Sequence, residues 1–120
     1  MKDFHKLKVW EKAHDLTLKL YSISKDFPKE EMYGLTNQIR RSAASIPTNI
    51  AEGCGRNNKR EIIQFFNIAI GSSSELEYQI ILAHDLGYID KASYSADTLQ
   101  VIEIRRMLYA FIQRLKSDLK

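Results

Sequence analysis

Four stretches of this chain place apolar residues at alternating steps of three and four, a spacing that aligns side chains on one side of an α-helix. The first seam is Val9, Ala13, Leu16, Leu20, Ile23 and Phe27, and the second is Leu35, Ile39, Ala43, Ile46 and Ile50. The third is Ile62, Phe66, Ala69, Ser73, Leu76, Ile80 and Ala83, and the fourth is Val101, Ile104, Leu108, Phe111 and Leu115. No stretch alternates apolar and polar residues between turn signals, so no strand is expected. Four amphipathic helices joined by short links bury their seams best against antiparallel neighbours. The expected fold is all-α, an up-down-up-down antiparallel four-helix bundle, as a single domain over residues 1–120.

Proline and glycine set the expected ends. Pro28 stops the first helix after Phe27, because a residue before proline is disfavoured in helical geometry. The second runs from about Leu35, after Tyr33-Gly34, to about Gly53, where Gly53 and Gly55 bracket Cys54. The third spans about Lys59 to Leu86, with Gly87 fitted to its C-terminal cap. The fourth starts between Asp90 and Ala96, with Asp90 or Ser93 as its cap.

Composition confines the class. A hydrophobic content of 44% with 28% charged residues is ordinary for a globular domain. The single Cys54 excludes an internal disulfide and points to a reducing compartment. No apolar run approaches the ~18–20 residues of a membrane span, and the N-terminus lacks the apolar block of a signal peptide. A cytoplasmic protein without membrane contact is expected.

The second helix carries more than a core needs. Gln38, Arg41, Ser45, Thr48 and Glu52 form a polar stripe, residues 42–45 are all small, and Pro47 interrupts the run. In the third helix a second seam (Phe65, Ile68, Ser72, Glu75, Gln79, Leu82, Leu86) puts Glu75 and Gln79 where apolar groups belong. A buried carboxylate must be paired, and Arg40 or Arg41 is the natural partner, within or between subunits. Arg40, Arg41, Glu75 and Gln79 are thus the expected structural polar network, beside the alternative that Glu75 is solvated on an outer face. Gly71 with Ser72, Ser73 and Ser74 offers a small-residue surface for close helix approach.

Catalytic chemistry finds little support. Di-iron bundles use two Glu-x-x-His motifs and two more glutamates; this chain has one such spacing, Glu11 and His14. A Cys54 nucleophile would need a base that no motif supplies. Gly55 is followed by Arg56-Asn57-Asn58, unlike a phosphate-binding loop. The expectation is no enzyme, with no catalytic residue, metal, cofactor or small-molecule substrate.

The net charge is +3, divided as +5 over residues 1–60 and −2 over residues 61–120. Two basic groups stand out: Lys2, His5, Lys6, Lys8 and Lys12 at the N-terminus, and Arg56, Lys59 and Arg60 between the second and third helices. Such groups neutralise phosphates without reading sequence, although lysine-rich helix ends also serve solubility. The nucleic-acid contacts expected are Arg56, Lys59 and Arg60, helped by Lys6 and Lys8. No aromatic residue interleaves with these cations along the chain, which argues against base stacking.

Apolar residues beyond the four seams suggest a partner surface. Phe65 and Ile68 belong to the second seam of the third helix, and Tyr109, Ile112 and Leu119 flank the fourth. A cyclic homo-oligomer is an economical way to cover them.

The run Gln38-Ile39-Arg40-Arg41-Ser42-Ala43 with Ser45-Ile46-Pro47-Thr48-Asn49-Ile50-Ala51-Glu52-Gly53 resembles the bacterial four-helix-bundle proteins encoded in intervening sequences of large-subunit ribosomal RNA genes. Trp10, Phe65-Phe66, Ala69, Gly71-Ser72-Ser73-Ser74-Glu75 and Gly87-Tyr88 agree with it. That family is more distantly similar to the accessory protein of diversity-generating retroelements, a basic pentameric barrel that binds nucleic acid. The resemblance implies a cytoplasmic bundle forming a ring of five and attaches no catalytic residue. Two functions follow: a self-associating bundle that binds RNA or DNA, or a protein-interaction scaffold that binds neither.

Overall fold

The computed structural model describes residues 3–119, and its elements are all helical. A 3-10 turn at Phe4–Lys6 leads into α1 (Lys8–Ser24); a second at Lys29–Glu31 precedes α2 (Leu35–Cys54). Then come α3 (Lys59–Asp85) and α4 (Lys91–Ser117). Each helix packs on its neighbours in sequence and α1 closes the bundle against α4, with α2–α3 the most extensive contact. The result is an antiparallel rod of 49 × 23 × 21 Å.

Local chemistry explains the ends. Asn58 caps α3, its Oδ1 accepting the Arg60 N–H at 2.8 Å. Asp90, not Ser93, caps α4 by accepting the Ser93 N–H at 2.7 Å, and this bond holds its carboxyl below the usual range. Gly87 has φ +83°, and the Tyr88 N–H reaches the Ala83 carbonyl at 2.8 Å, the six-residue closure that such a glycine permits. Helix α1 ends three residues before Phe27. Lys25, Asp26 and Phe27 instead donate to carbonyls three residues back, a tightened turn that still buries Phe27 ahead of Pro28. Glu31 secures the same end of the bundle. Its Oε1 accepts the Leu35 N–H at 3.1 Å and its Oε2 the Tyr88 hydroxyl at 2.9 Å.

The expected α2 and α3 seams are buried throughout. Helix α4 departs from expectation. Ile112 is 2% exposed and belongs to the core, whereas Phe111 is half-buried, because the buried stripe steps from Leu108 to Ile112 to Leu115. Extended one turn back from Val101, the same stripe begins with Asp97, which is fully buried. The Lys19 ammonium lies 2.8 Å from Asp97 Oδ1, yet among the described residues neither carboxylate oxygen receives an aligned hydrogen bond. Burial pushes the Asp97 carboxyl up, opposed by Lys19.

Pro47 sits inside α2, where it has no N–H for the Ala43 carbonyl one turn back. The helix continues through it, and the single hydroxyl proton of Thr17 on α1 is shared between that carbonyl at 3.0 Å and the Ala13 carbonyl at 2.8 Å.

Candidate nucleic-acid interface

The antiparallel path gathers the start of α1, the end of α2, the start of α3 and the end of α4 at one end of the rod. The five residues expected to contact phosphate (Lys6, Lys8, Arg56, Lys59 and Arg60) therefore share that end, and Arg114 and Lys116 join them from α4. Lys2 lies outside the described residues. The opposite end carries Asp26, Glu30, Glu31, Asp85 and Asp90 against Lys25, Lys29 and Lys91. The first end also carries Asp3, Glu11, Glu52, Glu61 and Asp118, and Arg40 lies on the last turn of α1 at the other, so the surplus at each end is small.

Contacts grade the basic end. Arg56 is 2.8 Å from Glu52 and 3.8 Å from Glu61, and Lys59 is 3.5 Å from Asp118. Carboxylates thus offset part of the Arg56–Arg60 cluster. Lys6 and Lys8 make no ion pair within the described residues and line a groove with Arg114, in which no carboxylate takes part.

Aromatic rings do stand among the cations, contrary to what their order in sequence suggests. The Arg56 guanidinium lies 4.7 Å over the Phe65 ring, and that of Arg114 lies 5.0 Å over Phe111. These neighbours are nine or more residues distant from Arg56 or close only through the helix turn. Phe111 meets Lys6 and Lys8 only because α4 folds back along α1.

The expected polar network forms differently. Arg40 turns toward α1, donating from Nε to Ser24 Oγ at 2.8 Å and from a terminal nitrogen to the Tyr21 carbonyl at 3.2 Å, with its guanidinium 4.9 Å over the Tyr21 ring. It thereby satisfies the C-terminal turn of α1, where a cation also complements the helix dipole. Glu75 is exposed, and no arginine lies within ion-pair distance of it among the described residues. Its Oε1 accepts the Ser42 hydroxyl at 3.0 Å, and Ser45 and Ser72 share a 2.8 Å bond beside it. Exposed Arg41 and buried Gln79 line the same polar cleft between α2 and α3, where Gln79 Oε1 has no hydrogen-bond partner among the described residues.

Close α2–α3 approach depends on Gly53 more than on Gly71. A Cβ at Gly53 would stand 3.0 Å from the Phe66 ring, whereas nothing lies within 4 Å of one at Gly71. Of the expected interface residues, Ile68 (47%), Tyr109 (52%) and Leu119 (38%) are exposed, Phe65 is half-buried, and Ile112 is core. Cys54 is buried, which pushes its thiol up and away from nucleophilic use. His14 is exposed and stacks on Trp10 at 5.1 Å, and among the described residues no three His, Cys, Asp or Glu side chains group to hold a metal. No helix of the described residues is long and apolar enough to cross a membrane.

Fold and surface together define a small antiparallel four-helix bundle with a basic end. A family model described as "23S rRNA-intervening sequence protein" matches residues 5–110, and the chain belongs to that family. A similar solved structure is a protein of unknown function from the S23 ribosomal protein family of Bacteroides thetaiotaomicron. It shares 26% identity at a TM-score of 0.81, over 87% of this chain and 97% of that one. No curated protein matched the chain.

Proposed function

We propose that this protein is a non-enzymatic, cytoplasmic, self-associating bundle whose basic end binds RNA or DNA through phosphate contacts. The observation that carries the reading is the convergence of Lys6, Lys8, Arg56, Lys59 and Arg60 on one end, although they come from separate parts of the sequence. A phosphate backbone recognised this way is held by charge, with weak sequence preference and steep salt dependence. Self-association is supported by exposed apolar side chains on several helices, including Leu18 at 57%, Ile68 at 47%, Leu99 at 68% and Tyr109 at 52%. A cyclic homo-oligomer covers such surfaces, and the family resemblance favours five copies. Ring symmetry would repeat the basic end, so that weak sites act together.

The test compares wild type with the Arg56→Ala/Lys59→Ala/Arg60→Ala and Lys6→Ala/Lys8→Ala variants, with mass checked by light scattering. Both variants should keep the oligomer and lose RNA affinity in a gel-shift series over salt. Equal affinity in all three, or no binding by wild type at ~50 mM salt, leaves the scaffold reading. That second reading has its own observation: Glu52, Glu61 and Asp118 lie beside Arg56 and Lys59 and reduce the local charge surplus. A monomeric mass at micromolar concentration would remove the ring.

A further inference from the structure

Between the start of α1 and the last turns of α4 runs a groove of about 280 Å³. Lys6, Lys8 and Arg114 stand around it, and Leu7, Met107 and Phe111 supply its apolar lining. Phe111 is held from behind, its ring 5.2 Å from that of fully buried Phe66 in an edge-to-face contact. Phe66 and Arg114 thus fix the ring in place, while Lys6 and Lys8 remain exposed.

We infer that this groove stacks a base of single-stranded nucleic acid on the Phe111–Arg114 pair, while Lys6 and Lys8 take the flanking phosphates. The inference rests on the nucleic-acid reading above and adds a preference for strand form. Cations alone would serve a duplex equally well. An aromatic ring set among them is of no use to a duplex, whose bases are already stacked inside, but it suits a strand whose bases are splayed out. With the Arg114 guanidinium lying over the Phe111 ring, a base stacks on the outer side of the guanidinium, which the ring backs, and every base has a face to offer it.

The test measures fluorescence anisotropy with oligouridylate and with an RNA duplex of equal length, across a salt series, using the intact protein. Wild type should prefer the single strand. Phe111→Leu keeps the packing on Phe66 but removes the aromatic face. It should weaken single-strand binding about tenfold while leaving duplex affinity and salt slope unchanged, with the helical fold and mass of the variant confirmed at the assay temperature. Lys6→Ala/Lys8→Ala should weaken both forms and lower the salt slope by roughly 1 to 2. Arg114→Lys, which keeps charge and loses the plane, should follow Phe111→Leu. Equal loss on both forms at Phe111→Leu, or no loss on either, overturns the stacking site alone. Absence of binding to both forms at low salt overturns it together with the nucleic-acid reading.

Discussion

Thr17 of α1 faces the carbonyl of Ala43 in α2 that Pro47 leaves without its helical donor. The Thr17 hydroxyl stands 3.0 Å from it and shares its one proton between it and the Ala13 carbonyl at 2.8 Å. A proline that would otherwise strand a buried acceptor becomes a point of registration between α1 and α2. Removing only one side of this arrangement should be costly, because a buried acceptor left unmade loses about 1–3 kcal/mol.

Thr17→Val, which keeps the shape and loses the hydroxyl, should destabilise by that amount in urea unfolding. In a Pro47→Ala background the helix regains its own N–H, and the same substitution should cost under about 1 kcal/mol. Equal costs in both backgrounds would show that the two residues are not coupled.

Two glycines should respond in opposite directions. Gly53→Ala places a methyl 3.0 Å from the fully buried Phe66 ring, which cannot withdraw. Overpacking of about 1–3 kcal/mol should outweigh any gain in helix propensity near the end of α2. Gly71→Ala meets no atom within 4 Å in the middle of α3 and should stabilise by roughly 0.5–1 kcal/mol. Thermal denaturation of the two variants decides the matter.

Asp97 gives stability a pH dependence of unusual sign for a carboxylate. Burial raises its native value above the unfolded one, so the native state holds the proton more tightly. The stability this confers is complete below the unfolded value of about 3.9 and is lost as pH rises through the native value. Wild type measured against Asp97→Asn, which cannot titrate, should therefore lose ground as pH is raised through that window. A difference that is flat with pH would mean that Lys19 cancels the desolvation, and one that grows in favour of wild type that Lys19 outweighs it.

Glu75→Ala should cost under about 1 kcal/mol, since an exposed carboxylate with one hydroxyl donor loses a single modest bond. A buried arginine pair would have cost several times more, and chemical denaturation separates the two.

Helix seams were legible because burial repeats with the period of the helix, and in α3 the stripe from Ile62 to Ala83 is buried throughout. The step from Leu108 was harder, since Phe111 and Ile112 are both apolar and only packing decides between them. Asp97 was within reach: one further step of four back from Val101 lands on it, although an aspartate there reads as surface. Arg40 was misdirected because two adjacent arginines face different neighbours, and Arg40 leans over the side of α2 that meets α1. The groove at Phe111 had no local signal. Its aromatic and its lysines lie at opposite ends of the chain and meet only when α4 returns alongside α1.

The forked grip of Glu31 ties two events that could otherwise occur apart. One carboxylate holds both the first amide of α2 and the Tyr88 hydroxyl in the turn joining α3 to α4. A carboxylate bonded to both predicts that the link from α1 into α2 and the turn from α3 into α4 open together at that end of the rod. Amides on the two connections should exchange with solvent at correlated rates, and Glu31→Ala should let each of them breathe on its own clock.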